Sequence, residues 1–159
     1  MIRILFVCLG NICRSPMAEF LFKRYVRERG EEARFYIASA ATSSEEVGNP
    51  VHRGTREKLN TLGIDCSGKR AVRLTRGDYE KYDYLIGMDD RNVRGILRIV
   101  GSDASGKVQK LLDFTERAGE EIADPWYTGD FEAAYRDITE GLDGLWRYLT
   151  ESGALQQKT

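Results

Sequence analysis

Apolar and polar positions along this chain alternate between two kinds of block. Ile2–Val7 is a short, largely apolar run rich in branched side chains, the pattern of a buried parallel strand. A polar, glycine-bearing stretch follows, Cys8–Arg14, and Ser15-Pro16 then carries the chemistry of a helix start, Ser as cap and Pro in the first turn. Met17, Phe20, Leu21, Phe22 and Tyr25 supply a buried helical face that Gly30 ends. The same reading predicts a second strand at Phe35–Ala38 and a second helix from Pro50 to Leu62, closed by Gly63. Thr75 and Asp78 form a small capping box for a short helical turn. Tyr84–Met88 is a third strand, and Asp90–Val100 is a helix with Val93, Ile96, Leu97 and Val100 turned inward. Val108–Leu112 is a fourth strand. A long last helix from Asp130 to about Ser152 keeps Phe131, Tyr135, Ile138, Leu142, Leu145, Trp146 and Leu149 at helical spacing.

Strands alternating with helices predict one doubly wound α/β domain: a four-stranded parallel sheet, order 2-1-3-4, with helices on both faces. The domain is expected over residues 1–155, with 156–159 as a disordered tail. In such sheets ligands bind beyond the carboxyl ends of the strands, where the strand order reverses. The stretch Cys8–Arg14 lies at such a place.

Composition narrows the function. Apolar residues make up 42% of the 159 positions and charged residues 31%, an ordinary globular balance. The net charge of −1 argues against a nucleic-acid partner, so any anion specificity must come from a local site. No run of residues is long and apolar enough to suggest a membrane span. The apolar start of the chain is interrupted by Asn11 and Arg14 too early for a secretory leader. Three cysteines, Cys8, Cys13 and Cys66, make a disulfide scaffold improbable and suggest a reducing compartment, hence the cytoplasm.

Cys8-Leu9-Gly10-Asn11-Ile12-Cys13-Arg14-Ser15-Pro16 brings several chemical assets together. A strand-to-helix loop presents successive backbone N–H groups, which with the helix N-terminus form a concave anion site. Gly10 is expected to supply unusual backbone angles. Arg14 offers a planar fork for two phosphate oxygens. Cys8, at the loop's entrance, would feel the same positive field as a thiolate and could attack a bound phosphorus atom.

Residues 8 to 19, Cys-Leu-Gly-Asn-Ile-Cys-Arg-Ser-Pro-Met-Ala-Glu, resemble the signature of the low-molecular-weight protein tyrosine phosphatases. The resemblance extends along the chain through Ser39-Ala40-Ala41-Thr42, Gly63-Ile64-Asp65, Met88-Asp89 with Asn92, and Asp124-Pro125-Trp126-Tyr127. It implies an enzyme that hydrolyses phosphotyrosine and other aryl phosphates through phosphocysteine, without metal or cofactor. Cys8 would be the nucleophile, Arg14 the phosphate clamp and Asp124 the general acid, then base. Leu9, Gly10, Asn11, Ile12, Cys13 and Ser15 would line the phosphate site, which inorganic phosphate or sulfate would also occupy. Ser15 would donate a hydrogen bond to the Cys8 thiolate, Asn11 would hold the loop with support from Ser39, and Trp126 and Tyr127 would wall the cleft. Phosphotyrosine-containing proteins would be the partners.

The chain also departs from that family. Lys69 and its neighbours stand where many members carry a His, Glu45 stands at a rim position that is Trp in some, and Trp126 replaces the usual Tyr. Ile12 takes the place of a Thr that marks members acting on phosphoarginine. Two other readings compete: an arsenate reductase of the same fold, which would need more thiols, and a zinc-binding module using the cysteines and His52, whose ligand spacing is poor. His52 is expected to be exposed. Gly101–Val108 mimics a nucleotide-binding loop but ends in Val and precedes a strand, so it is read as surface loop. Arg91, Arg94 and Arg98 follow one helical face and are read as solvated surface.

Overall fold

The computed structural model describes residues 1–157. Four strands, β1 (Ile2–Cys8), β2 (Phe35–Ala41), β3 (Tyr84–Gly87) and β4 (Val108–Lys110), form one parallel sheet in the order β2-β1-β3-β4. Seven helices accompany them: α1 (Arg14–Glu28), α2 (Arg53–Thr61), α3 (Asp78–Lys81), α4 (Asp90–Val100), α5 (Pro125–Thr128), α6 (Phe131–Glu151) and α7 (Ala154–Gln157). The tail expected from residue 156 overlaps the end of α7, and residues 158–159 lie outside the described residues.

Strand β1 shows why the sheet is covered on both sides. Its side chains alternate with period two, so neighbours point to opposite faces. Ile2, Ile4, Phe6 and Cys8 enter the core formed by α1 and α6. Leu5 and Val7 enter the core on the other face, with Ile96 and Val100 of α4. Cys8 thus continues the apolar row of β1 and emerges at its carboxyl end, on the α1 side. There the chain leaves the sheet and turns into α1.

The predicted elements are present, with informative shifts. Strand β2 runs on to Ala41, where Ala41 N–H donates to Val72 O and Leu74 N–H to Ala41 O. Strand β4 stops at Lys110 because Leu111–Phe114 tightens into a 3-10 turn. Helix α1 begins at Arg14 after Cys13, so Ser15 lies inside its first turn and is not the cap. The Ser15 hydroxyl is turned inward instead, toward Cys8. His52 is half-buried, a correction to its expected exposure. Its Nδ1 accepts from Gly54 N–H to cap α2, and its ring stacks on Phe131 at 5.1 Å. The Gly101–Lys107 segment is held by Asp103, which accepts from Tyr79 Oη and from the Lys107 and Val108 N–H groups.

Two glycines inside α6 set how deeply that helix docks. A Cβ at Gly141 would collide with Leu111. A Cβ at Gly144 would come 2.5 Å from the Phe114 carbonyl oxygen, a backbone atom that cannot rotate away. Gly144→Ala gains roughly 1 kcal/mol of helix propensity. Overpacking of about 1–3 kcal/mol should outweigh it. Differential scanning calorimetry should find the midpoint lowered, at roughly 2–4 °C for each kcal/mol of net loss. A midpoint at or above the parent's would mean that α6 does not pack this closely.

Candidate active site

At the carboxyl end of β1, residues 8–14 curl around a point beneath the cleft. The carbonyls of the loop are tied to the surrounding scaffold. Cys8 O accepts from Thr42 N–H at 3.0 Å, Leu9 O from Ser43 N–H at 2.9 Å and Ile12 O from His52 N–H at 2.8 Å. Cys13 O accepts from the Thr55 hydroxyl at 3.0 Å. In a planar trans peptide the carbonyl and the next N–H point in opposite directions. Carbonyls drawn outward therefore turn the N–H groups of Leu9, Gly10, Cys13 and Arg14 toward the concave side. That is the nest expected of an anion site.

Asn11, with φ of 59°, is the one non-glycine residue in the left-handed region among the described residues. Asparagine tolerates this conformation, and here its amide is fully engaged. Its Nδ2 donates to Ser15 Oγ at 2.8 Å and to Ser39 Oγ at 2.9 Å, while its Oδ1 accepts from Val72 N–H at 3.1 Å. Gly10 does not have the positive φ expected of it. Its value is space, because a Cβ there would stand 3.3 Å from Glu46 Cγ and 3.7 Å from Ile12 Cγ1. The unusual backbone angle expected at the glycine is found at the asparagine.

The Cys8 sulfur lies 3.0 Å from Ser15 Oγ and 3.5 Å from the Ser15 nitrogen, whose N–H donates to it. Below it is Arg14, 1% exposed. Its Nη1 donates to Asp89 Oδ2 at 2.8 Å and to Ile122 O at 2.7 Å, and its Nη2 donates to Asp124 Oδ2 at 3.3 Å. The Nε is buried and has no protein partner. Burial opposes the charge on this guanidinium, but Cys8, Asp89 and Asp124 outweigh it and hold the group above its ordinary value. The neighbouring thiol behaves differently. Burial pushes Cys13 well up, and the nearby Cys8, Asp124 and Glu46 add to the effect against the pull of Arg14.

Asp124 faces the loop from the other side of the cleft. Its Oδ1 caps α5 by accepting from Trp126 N–H at 3.0 Å, which leaves Oδ2 to meet Arg14. Ile122 N–H donates to Met88 O at 3.0 Å and so fastens this segment to the end of β3. Trp126 and Tyr127 stand out from α5 at 55% and 69% exposure and form one wall. Glu45 and Glu46 form part of the opposite rim. The enclosed space is about 90 Å³. His52, edge-on to Trp126 at 5.5 Å, buttresses the aromatic wall from behind.

The structure brings together all the site residues expected from sequence. Ser39 stands in the layer behind the loop, bonded to Asn11. Sequence reading gave no role to Asp89, which it noted only with Met88 and Asn92 in the family resemblance. Its Oδ1 accepts from Asn92 N–H at 2.7 Å, within a capping box at the start of α4, and its Oδ2 holds Arg14. The Asp-x-x-Asn spacing carried that signal. Cys66 sits in a separate apolar cluster with Val51, Leu59 and Ile64. Among the described residues, no group of three His, Cys, Asp or Glu side chains is placed to hold a metal ion.

Comparison with known proteins agrees with this geometry. The family model described as low molecular weight phosphotyrosine protein phosphatase matches residues 3–157. The low molecular weight protein-tyrosine-phosphatase YfkJ of Bacillus subtilis is 38% identical over 146 residues, 91% of this chain and 94% of that protein. The crystal structure of YfkJ superposes with a TM-score of 0.90 over 96% of each chain, at 37% identity. The Streptococcus pyogenes low molecular weight protein tyrosine phosphatase superposes with a TM-score of 0.82 over the whole of both chains, also at 37% identity. A Drosophila protein described as an arginine phosphatase has the same fold, with a TM-score of 0.83 and 30% identity over 91% of this chain and 96% of its own. With a family model across nearly its whole length and relatives of this similarity, the chain belongs to the low-molecular-weight protein-tyrosine-phosphatase family of enzymes.

Proposed function

We propose that this enzyme hydrolyses phosphotyrosine and other aryl phosphate monoesters through a phosphocysteine on Cys8. One arrangement carries the reading: a sulfur in hydrogen-bond contact with Ser15, set in a loop with inward N–H groups, beside a buried Arg14 whose Nε has no protein partner. A buried guanidinium N–H left unbonded is costly, and a phosphate oxygen is a strong acceptor for it. Arg14 would grip two phosphate oxygens through Nε and Nη2, with the loop N–H groups holding the rest. The Cys8 thiolate attacks phosphorus opposite the ester oxygen, and the phosphorus–oxygen bond breaks as the phosphorus–sulfur bond forms. Asp124 gives the departing phenol its proton. It then takes one from the water that attacks phosphocysteine, which releases inorganic phosphate and returns Cys8 as thiolate. Each role is filled by a side chain of this protein. Phosphate and sulfate should compete for the same cradle.

Phosphotyrosine-containing proteins are the proposed substrates, with the phenyl ring lying between Trp126 and Tyr127 on one side and Gly10 and Ile12 on the other. The three unbridged thiols fit a reducing compartment, and we place the enzyme in the cytoplasm. Among the described residues no helix is long and apolar enough to cross a membrane.

Iodoacetate at neutral pH should modify Cys8 ahead of Cys13 and Cys66. Burial pushes both of the latter thiols up, so they stay protonated and unreactive there. Inorganic phosphate should protect Cys8. Peptide mass spectrometry reads the order, and earlier labelling of Cys13 or Cys66 would contradict the assignment.

Asp124→Ala should lower kcat/KM by about 10²–10⁴-fold for phenyl phosphate, whose leaving group needs a proton. The loss should be smaller for nitrophenyl phosphate, which departs as a stable anion. Across a series of aryl phosphates, kcat/KM reports the steps through the first chemical transition state. An equal decline with leaving-group pKa in parent and variant would remove Asp124 from the role of acid.

Specificity should follow the cleft. Ile12 lines it with an apolar side chain, so phosphotyrosine peptides should exceed phosphoarginine and phosphoserine peptides in kcat/KM. Glu45 and Glu46 on the rim should favour Lys or Arg next to phosphotyrosine over Glu, and added salt should shrink that preference. Comparable rates on phosphotyrosine and phosphoarginine peptides would overturn the substrate assignment.

A further inference from the structure

Behind the catalytic loop is a buried ionic cluster that the reaction scheme does not use. Glu19 of α1 is only 4% exposed. Its Oε1 accepts from the Ser39 hydroxyl at 2.6 Å and lies 3.5 Å from Lys69 Nζ. Its Oε2 accepts from Lys23 Nζ at 2.6 Å. Lys69 Nζ also donates to the Ser39 carbonyl at 2.9 Å. From a further element, Tyr82 lies close enough for the Glu19 charge to be one of the causes, after burial and its nearer neighbours, that hold its hydroxyl proton more firmly. A buried ion pair is weak evidence for stability, since desolvation offsets much of its attraction. Its direction toward the loop is the informative feature.

Counting protons along the chain of contacts gives each bond a sense. A backbone N–H can only donate, so Val72 N–H fixes Asn11 Oδ1 as acceptor and Nδ2 as donor. The two Nδ2 hydrogens then go to Ser15 and Ser39. Each serine has one hydrogen left to give. An ionised carboxylate can only accept, so Ser39 gives its hydrogen to Glu19. With Cys8 as the thiolate of the proposed reaction the sulfur can only accept, so Ser15 gives its own hydrogen to it across the 3.0 Å contact. Asn11 is thus a branch point between two acceptor ends, the Glu19 carboxylate and the Cys8 thiolate.

We propose that Glu19 and Lys69 are positioning residues: an ion pair outside the cleft that holds Ser39, and through it the Asn11 amide, so that the Ser15 hydroxyl stays aimed at Cys8. Lys69 stands 3.5 Å from Glu19 and pins the end of β2 through the Ser39 carbonyl. Neither residue touches substrate. The inference deepens the thiolate chemistry proposed above and rests on it for its meaning, but it can be tested on the thiol alone.

Four variants, Glu19→Ala, Lys69→Met, Lys69→Arg and Ser39→Ala, together with the Glu19→Ala/Ser39→Ala double variant, are compared with the parent in three measurements. These are the pH profile of Cys8 alkylation by iodoacetate, kcat and KM for nitrophenyl phosphate, and the thermal midpoint. Glu19→Ala should slow alkylation at mildly acidic pH and lower kcat/KM by roughly tenfold, the scale of a lost hydrogen bond to a charged group. Lys69→Met should shift the alkylation profile in the same direction, and Lys69→Arg should restore it. With Ser39→Ala already in place, Glu19→Ala should change the midpoint but add nothing to the alkylation profile, because its path to Cys8 is cut. A cluster that serves stability alone would lower the midpoint and leave the alkylation profile of the folded protein unmoved, and that result overturns the proposal. If Glu19→Ala does not fold, the two Lys69 variants decide: an unchanged profile in Lys69→Met overturns it equally. A parent that alkylates as expected but turns over no aryl phosphate would instead count against the proposed phosphatase reaction.

Discussion

A guanidinium that is almost completely buried cannot stay charged unless acceptors surround it, and the site is organised around meeting that demand for Arg14. Two segments distant from Arg14 in sequence supply the three acceptors. Asp89 comes from the start of α4, Ile122 from the strap that crosses the end of β3, and Asp124 from the cap of α5. Each is fixed by a bond of its own, to Asn92, Met88 and Trp126 respectively. The cation therefore does two things. It holds the walls of the cleft together, and it leaves Nε buried without a protein partner.

The same placement lets one side chain cap a helix and pair with the cation. Asp124 gives one oxygen to α5, which fixes where the carboxyl stands, and directs the other at Arg14. The rim adds a further constraint. Glu45, Glu46 and Asp124 line a cleft whose nearby cation is buried beneath it. The outer field is acidic while the floor attracts anions, an arrangement that favours a phosphate presented on a neutral ring or near basic residues.

Backbone geometry and polar bonding cooperate at Asn11. The left-handed turn lets the loop close around its concave side, and the cost of that conformation is offset by three hydrogen bonds to the asparagine amide. Glycine would allow the turn with less strain but would supply none of those bonds. At Gly10 a Cβ would stand 3.3 Å from Glu46 Cγ, so a larger residue there would press on the Glu46 side chain.

Much of this was legible in the sequence because it depends on short-range pattern. A continuous apolar run marked β1 and 3.6-residue apolar spacing marked α4 and α6, each nearly to the residue, and alternating strands and helices implied the parallel sheet. The loop from Cys8 to Arg14 announced an anion site through residue types that few other environments need together. What sequence could not decide depends on contacts between distant segments. Ser15 has the chemistry of a helix cap, yet its hydroxyl goes to Cys8, because the helix begins one residue earlier, at Arg14. His52 sits between Pro50-Val51 and Arg53 at a helix start but stacks on Phe131, brought from nearly eighty positions away by the docking of α6. Gly141 and Gly144 weaken a helix by local rules, and only the approach of Leu111 and Phe114 gives them a reason. Lys69 stood out in sequence only as lying where many family members carry a His; the fold places its ammonium group beside Glu19 and the Ser39 carbonyl. Local propensity reads one segment at a time, whereas burial of charge and close backbone approach are properties of pairs, and the pairs exist only once the chain has folded.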